Sequence, residues 1–321
     1  MRRKAIAMKI ADALLIDPAV ETERIAQHIR NYLRDVKRKG AVIGLSGGID
    51  SSVTAALCAR AVGSEHVFGI FMPDADSSPE SLLLGQLLAA ELNIRTTVED
   101  ITATLHAAGC YRRRDAAIQC LIPDYGEGYR SKIVVSSGPY QLFSIVVRSP
   151  EGVETKVRLP LETYLMIVAA TNFKQRTRKM LEYFHADRLH YAVAGTPNRL
   201  EYDQGFFVKN GDGAADFKPI AHLYKSQVYL LAEYLGIPED IRRRPPTTDT
   251  YSLEQSQDEF FFSLPYELMD MAIYARDHDL TAAEAAAQLG ISEKQMKRVY
   301  GMIDSKRKSA RYLHLAPALM A

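Results

Sequence analysis

The chain has 321 residues, 47% hydrophobic and 25% charged, the composition of an ordinary globular protein rather than a disordered or fibrous one. Its net charge of +1 gives no general electrostatic case for a nucleic-acid partner, and no run of 18 or more apolar residues offers a membrane span. Three cysteines, Cys58, Cys110 and Cys120, lack metal-ligand spacing and suggest no disulfide framework. The basic Met1-Arg2-Arg3-Lys4 is followed by no signal h-region, so a cytoplasmic protein is expected.

Helical spacing runs over residues 5–38, with Ile25, Ile29, Leu33 and Val36 on one stripe. The apolar run 41–45 predicts a first strand, and 53–62 a helix. Between them lies Ser46-Gly47-Gly48-Ile49-Asp50-Ser51-Ser52. Strand, then glycines and hydroxyls, then helix points backbone N–H groups at an anion. Two adjacent glycines let the backbone approach a phosphate with no Cβ in the way. Asp50 sets a carboxylate beside that anion, which is tolerable when Mg²⁺ sits between them. Taken alone, the Gly-Gly pair also reads as an ordinary strand-to-helix turn. The stretch lacks the Gly-Lys-Ser/Thr ending of a Walker A loop and the Gly-x-Gly-x-x-Gly of a dinucleotide fold.

A second strand is predicted over 67–73, a helix over 78–92 carrying Leu82, Leu83, Leu87 and Leu88, and a third strand over 94–98. This alternation predicts an α/β, doubly wound parallel sheet with helices on both faces. Residues about 111–160 break the rhythm. Segments 132–136, 141–147 and 155–158 read as strands, parted by the turn-like Ser137-Gly138-Pro139 and Pro150-Glu151-Gly152. They form an inserted β-meander, an interface arm or a lid. The rhythm resumes with a helix over 164–184, a buried strand over 190–196, and a helix over 225–235 stopped by Gly236 and Pro238. Two C-terminal helices, 280–289 and 292–302, flank Gly290. They resemble a helix-turn-helix but lack a basic recognition face.

Two further blocks carry chemistry. Gly195-Thr196-Pro197-Asn198-Arg199-Leu200-Glu201 closes a strand, where ligands collect in parallel sheets. Glu201 reads equally as a second carboxylate for a Mg²⁺ touched by Asp50 and as a solvated loop acid. The stretch 205–216 crowds Gly, Asp and Asn around Phe206 and Phe207, which offer an aromatic face for a flat ring. A core-anchored loop accounts for the phenylalanines but not for Lys209, Asp212 and Asp216.

The 46–52 loop resembles the pyrophosphate loop of the adenine-nucleotide α-hydrolases, which cleave ATP between its α- and β-phosphates. In chain order come Ser-Gly-Gly-x-Asp-Ser, Asn172-x-x-x-Arg176-x-Arg178, Gly195-Thr196-x4-Glu201, Gly205-Phe206-Phe207-x-Lys209-x-Gly211-Asp212-Gly213-x-x-Asp216, Lys225 and Pro246-Thr247-x-Asp249. Together these are similar to NAD synthetase from about residue 20 to the C-terminus, the meander apart. The resemblance implies one ATP-pyrophosphatase-type synthetase domain over 1–321. Its implied reaction is ATP-dependent amidation of deamido-NAD by ammonia through an acyl adenylate.

The resemblance further implies ATP contacts from Gly44, Leu45, Ser46, Gly47, Gly48, Ile49, Asp50 and Ser51, with Thr196, Lys225 and Thr247. It makes Asp50 and Glu201 the Mg²⁺ ligands, and Arg176, Lys209, Asp216 and Lys306 the deamido-NAD contacts. Catalysis falls to Asp50, Lys225 and Asp216 as electrostatic and positioning groups, with no covalent nucleophile. A homodimer is implied, with the deamido-NAD site near its interface. Three departures stand out: Ser305-Lys306-Arg307 replaces the family's His-Lys-Arg, Gln175 replaces a small residue, and the meander is additional. They keep a related adenylating amide synthetase for another acid as the alternative. A nucleotide-binding protein without catalysis is the reading from a different class, and intact Asp50, Glu201 and Lys225 stand against it. About 40 residues precede the loop, too few for the amidase domain of glutamine-using relatives. Free ammonia, or a separate ammonia-supplying subunit, is therefore the expected nitrogen source.

Overall fold

The computed structural model describes residues 9–135, 142–245, 251–253 and 264–320. Its first half runs α1 (Ile10–Ala13), α2 (Pro18–Asp35), β1 (Ala41–Gly44), α3 (Ile49–Val62), β2 (Val67–Phe71), α4 (Pro79–Glu91), β3 (Arg95–Val98), α5 (Thr102–Ala107) and α6 (Cys110–Gln119). Next come β4 (Arg130–Val135), β5 (Phe143–Arg148), β6 (Glu154–Arg158), α7 (Leu161–Leu189) and β7 (Ala192–Val193). The chain closes with α8 (Arg199–Gln204), α9 (Lys225–Tyr234), α10 (Glu239–Arg243), α11 (Tyr266–Asp277), α12 (Ala282–Leu289) and α13 (Glu293–His314).

Four strands form a parallel sheet in the order β3-β2-β1-β7. Ala41 and Ile43 of β1 pack toward α2, α3 and α9, while Val42 packs toward α5, α6 and α7. Burial on both faces is why β1 and β2 read as unbroken apolar runs instead of alternating ones. The expected doubly wound sheet with helices on both faces is thus observed. No helix among the described residues is long and apolar enough to cross a membrane.

Several boundaries differ from those the periodicity predicts. Helix α3 starts at Ile49 rather than 53, so Asp50, Ser51 and Ser52 are its first turn. The hydroxyls of Ser51 and Ser52 both donate to the Gly48 carbonyl, at 2.9 and 2.8 Å, closing a turn that apolar spacing cannot reveal. The strand expected over 190–196 shrinks to Ala192–Val193, because His190 takes a left-handed conformation to end α7 and Ala194 makes only an isolated bridge to Phe217. Helix α13 continues to His314, well past residue 302. Helix α11 was not anticipated; it builds a second core with α1, α12 and α13.

The segment expected as a meander from about 111 begins instead with helix α6, and its strands start at Arg130. From there the antiparallel order β4-β5-β6 holds, with Ile133 opposite Ile145 and Ile145 opposite Val157. Its inner face buries Ile133, Ile145 and Val147 against Ala117 and Ile118 of α6 and Ile167 of α7. The sheet is therefore docked on the α/β body. The turn read at Ser137-Gly138-Pro139 lies outside the described residues.

Candidate active site

The loop after β1 owes its shape to Gly47. Its φ of +71° is left-handed, and a Cβ there would stand 2.3 Å from the Ser81 carbonyl oxygen, so no side chain fits. Ser46 Oγ accepts the Gly48 N–H at 3.3 Å and meets Ser51 Oγ at 3.2 Å. A cavity of about 700 Å³ opens over this loop and is lined by Gly44, Leu45, Ser46, Gly48, Ile49, Asp50 and Ser51. Gly47 shapes the wall without lining it. Thr196, Glu201, Lys225 and Lys306 share the cavity, as do Phe206 and Phe207. Thr247 lies outside the described residues.

Asp50 is held from two sides. Its Oδ1 accepts from Asn198 Nδ2 at 3.0 Å, and its Oδ2 accepts from Lys225 Nζ. Lys225 is only 1% exposed. Burial alone would lower its pKa, but Asp50 and Glu201 outweigh that and hold the ammonium above its ordinary value. The buried carboxylate of Asp270, from α11, accepts the N–H groups of Lys225 and Ser226 at 3.2 and 2.7 Å and so fixes the start of α9.

Asn198 does a second job. It caps α8, accepting the Glu201 N–H at 3.1 Å, while Glu201 Oε2 accepts the Asn198 N–H at 3.2 Å. One buried amide thereby ties both carboxylates together. Glu201 is not a solvated loop acid; it is the third residue of a capped helix. Burial, then the nearby Asp50 charge, pushes its carboxyl up to about 8. Among the described residues there is no cluster of three or more His, Cys, Asp or Glu able to hold a metal. Two carboxylates in one cavity, with Glu201 under that strain of negative charge, nevertheless fit the oxygen donors of a Mg²⁺ whose remaining ligands are phosphate and water.

The raised Glu201 carboxyl sets a pH dependence. The folded protein keeps a proton that the unfolded chain releases near 4.5, so this stabilising contribution is lost as pH rises toward about 8. Thermal melts of the nucleotide-free protein are expected to show Tm falling across this range, and falling less steeply in Glu201→Gln. Equal slopes in the two proteins would remove the assignment.

Lys306 lines the cavity, its ammonium pushed down to about 8 by burial. The other three residues implied to touch deamido-NAD do not line this chain's cavity. Exposed Arg176 donates from Nε to the Lys209 carbonyl at 3.3 Å. Lys209 Nζ donates to the carbonyls of Tyr312 and Leu315 at 2.9 and 3.2 Å, capping the end of α13. Asp216 accepts the Val193 N–H at 2.7 Å and the Tyr183 hydroxyl at 3.3 Å. These contacts bind the 205–216 stretch to β7, α7 and α13.

Lys174, absent from the sequence motifs, and Arg178, which the motif carries without an assigned role, line the cavity from α7 and complete the wall. Lys174 pairs with Asp74 and Asp76 at 3.0 and 2.7 Å, and Arg178 with Asp74 at 2.7 Å, latching the loop that leads into α4. The Lys174–Asp76 pair spans 98 positions, so no local signal announces it.

The profile described as NAD synthase matches residues 21–118 and 155–311. The NH(3)-dependent NAD(+) synthetase of Rhizobium meliloti is 61% identical over 316 residues, covering 97% of this chain and 94% of that protein. Among solved structures, an NH3-dependent NAD synthetase from Campylobacter jejuni superposes with a TM-score of 0.64 at 23% identity, covering 96% of this chain and all of that one. An NMN synthetase from Francisella tularensis superposes with a TM-score of 0.67 at 20% identity, over 95% and 99%. At those identities the superpositions speak for the fold. With the profile spanning most of its length and a relative 61% identical nearly end to end, this chain belongs to the NAD synthase family.

Proposed function

We infer that this chain is an ammonia-dependent NAD synthetase, amidating deamido-NAD at the expense of ATP and releasing AMP and pyrophosphate. The observation that carries the reading is Asp50, held by Asn198 and Lys225 at the mouth of a phosphate-type loop, with Glu201 tied to the same Asn198.

The chemistry follows from what a carboxylate lacks. Hydroxide is a poor leaving group, so the nicotinate carboxylate first attacks the α-phosphorus of ATP and pyrophosphate departs. Charge grows on the β-phosphate oxygens, where the N–H groups around Gly48 and the Lys225 ammonium stabilise it. Asp50 and Glu201 would hold Mg²⁺, which when bound supplies neutralisation of phosphate charge. Ammonia then attacks the acyl adenylate and AMP leaves. Water would destroy that intermediate, so the enclosing walls from α7, α13 and the 205–216 stretch matter for yield. No covalent enzyme intermediate is required.

Incubation with ATP, Mg²⁺, ammonium and deamido-NAD is expected to yield NAD, AMP and pyrophosphate in equal amounts. No NAD or AMP above the blank would overturn the reading. The three cysteines are free thiols, which supports a reducing, cytoplasmic setting.

A homodimer is supported by α7. Leu161, Leu165, Met166, Met180 and Phe184 are all exposed and fall within about 140° of its circumference. Exposed Arg176 sits within this stripe, with Lys209 and Asp216 attached to the same side of α7 through Arg176 and Tyr183. These three residues would then meet deamido-NAD at the interface, beside the cavity of either copy. Leu165→Glu combined with Phe184→Glu is expected to turn a dimer into a monomer in light scattering and to raise the KM for deamido-NAD about tenfold or more, since two charges would be buried unpaired. A monomeric parent protein would rule the interface out.

A further inference from the structure

The inserted sheet supplies part of the cavity wall. Val135 and Phe143 oppose each other across the β4–β5 pair, and both line the cavity. They continue the face that carries Ile133, Ile145 and Val147, since one face of a strand repeats every two residues. Those three are buried in the sheet's own core against α6 and α7. Past the end of that core, the same face looks into the cavity.

Phe143 stacks on Tyr164 of α7, with ring centroids 4.1 Å apart and planes 20° from parallel. Tyr251 closes the same wall and is 6% exposed. The residues after it are pinned to the open edge of β4: Ser252 Oγ accepts the Ser131 N–H at 2.9 Å, and the Leu253 N–H donates to the Ser131 carbonyl at 3.2 Å. Three rings and a valine, drawn from the insertion, α7 and the 251–253 segment, thus face one end of the cavity.

That end is remote from the phosphate loop. Glu182 of α7 lies against Gly44, within 2.8 Å of where its Cβ would be. Tyr164 stands eighteen residues earlier on the same helix, roughly 27 Å away along its axis. Toward this end α7 presents Tyr164, Val168 and Thr171, none of them charged. Lys174 and Arg178 come later along α7 and are engaged with Asp74 and Asp76. A wall of this chemistry suits a flat, uncharged heteroaromatic ring. The nicotinate ring carries a carboxylate, which an apolar wall would strip of water without replacing its hydrogen bonds.

We propose that Phe143, Tyr164 and Tyr251, with Val135, form a stacking subsite for the adenine ring of deamido-NAD, which makes the inserted sheet a specificity element of the catalytic cavity. The proposal rests on reading that cavity as the site of ATP and deamido-NAD, both of which carry adenine.

Steady-state kinetics of Phe143→Ala tests it. The KM for deamido-NAD is expected to rise roughly 5- to 100-fold, with smaller changes in kcat and in the KM for ATP, as for loss of a base–aromatic stack. Phe143→Trp is expected to restore a value near that of the parent. ATP held by its phosphates on the loop is too short to bring its adenine to this end, so a rise confined to ATP overturns the proposal. If Phe143→Ala melts like the parent and both KM values stay within about twofold, the subsite is overturned. A parent protein that makes no NAD would overturn the functional reading instead. Photolabelling of the unaltered protein with the 8-azidoadenine form of deamido-NAD keeps the test open if the variant folds poorly. Label on the 130–148 peptide or at Tyr251 is expected, and label found only elsewhere overturns the proposal.

Discussion

Asp50→Ala is expected to lower kcat for NAD formation by at least about 100-fold, the range seen when one electrostatic contact to a transition state is removed. Two losses combine. One of the two carboxylates that would hold Mg²⁺ disappears, and Lys225, 1% exposed, loses the carboxylate to which it donates. Removing one partner of a buried pair typically costs about 3–5 kcal/mol, so this variant should also melt earlier. Asp50→Asn separates the effects. Its single amide oxygen can accept from Asn198 or from Lys225 but not from both, so part of the stability is kept while the charge is gone. The expected outcome is a Tm between those of the parent and Asp50→Ala, with a rate still reduced about 100-fold. An Asp50→Asn enzyme with parental kcat at saturating ATP and Mg²⁺ would end the metal assignment, though not the fold.

How far the sequence shows the fold follows the range of each interaction. The sheet was legible because β1 and β2 are apolar on both faces, and the phosphate loop because its glycines and hydroxyls act on their immediate neighbours. The cap that turns Glu201 inward was also local, an Asn-x-x-Glu pattern, though it stood unused. Asp270 and Lys174 were invisible because their partners are distant in the chain. Arg176 shows a different limit. Lys174, Arg178 and Glu182 line the cavity, while Arg176, Met180 and Phe184 are exposed. These are two i, i+4 rows offset by two residues, about 200° apart on a helix. A motif written as an order of residues places Arg176 between cavity-facing neighbours. The helix turns it to the opposite side, where a partner copy would be needed to bring it to substrate.

Lys225→Met isolates the charge proposed to face the departing pyrophosphate. Methionine keeps much of the apolar stem that fills this buried position, and Asp270 still fixes the start of α9 through backbone N–H groups that the substitution leaves in place. The ammonium is what is lost. Asp50 and Glu201 then share a buried space without the cation that offsets them, so Glu201 should hold its proton to still higher pH. The Tm of the nucleotide-free variant should therefore fall more steeply above neutral pH than that of the parent. At saturating ATP and Mg²⁺, kcat is expected to drop about 10²- to 10³-fold, because the β-phosphate oxygens lose a preorganised donor just as their charge develops. Rapid-quench measurement of pyrophosphate formation should show the loss in the adenylation step, with attack of ammonia on preformed adenylate much less affected. Should kcat stay within about threefold of the parent, Lys225 would be reduced to a counter-ion for Asp50, and stabilisation of the leaving pyrophosphate would fall to the loop N–H groups alone.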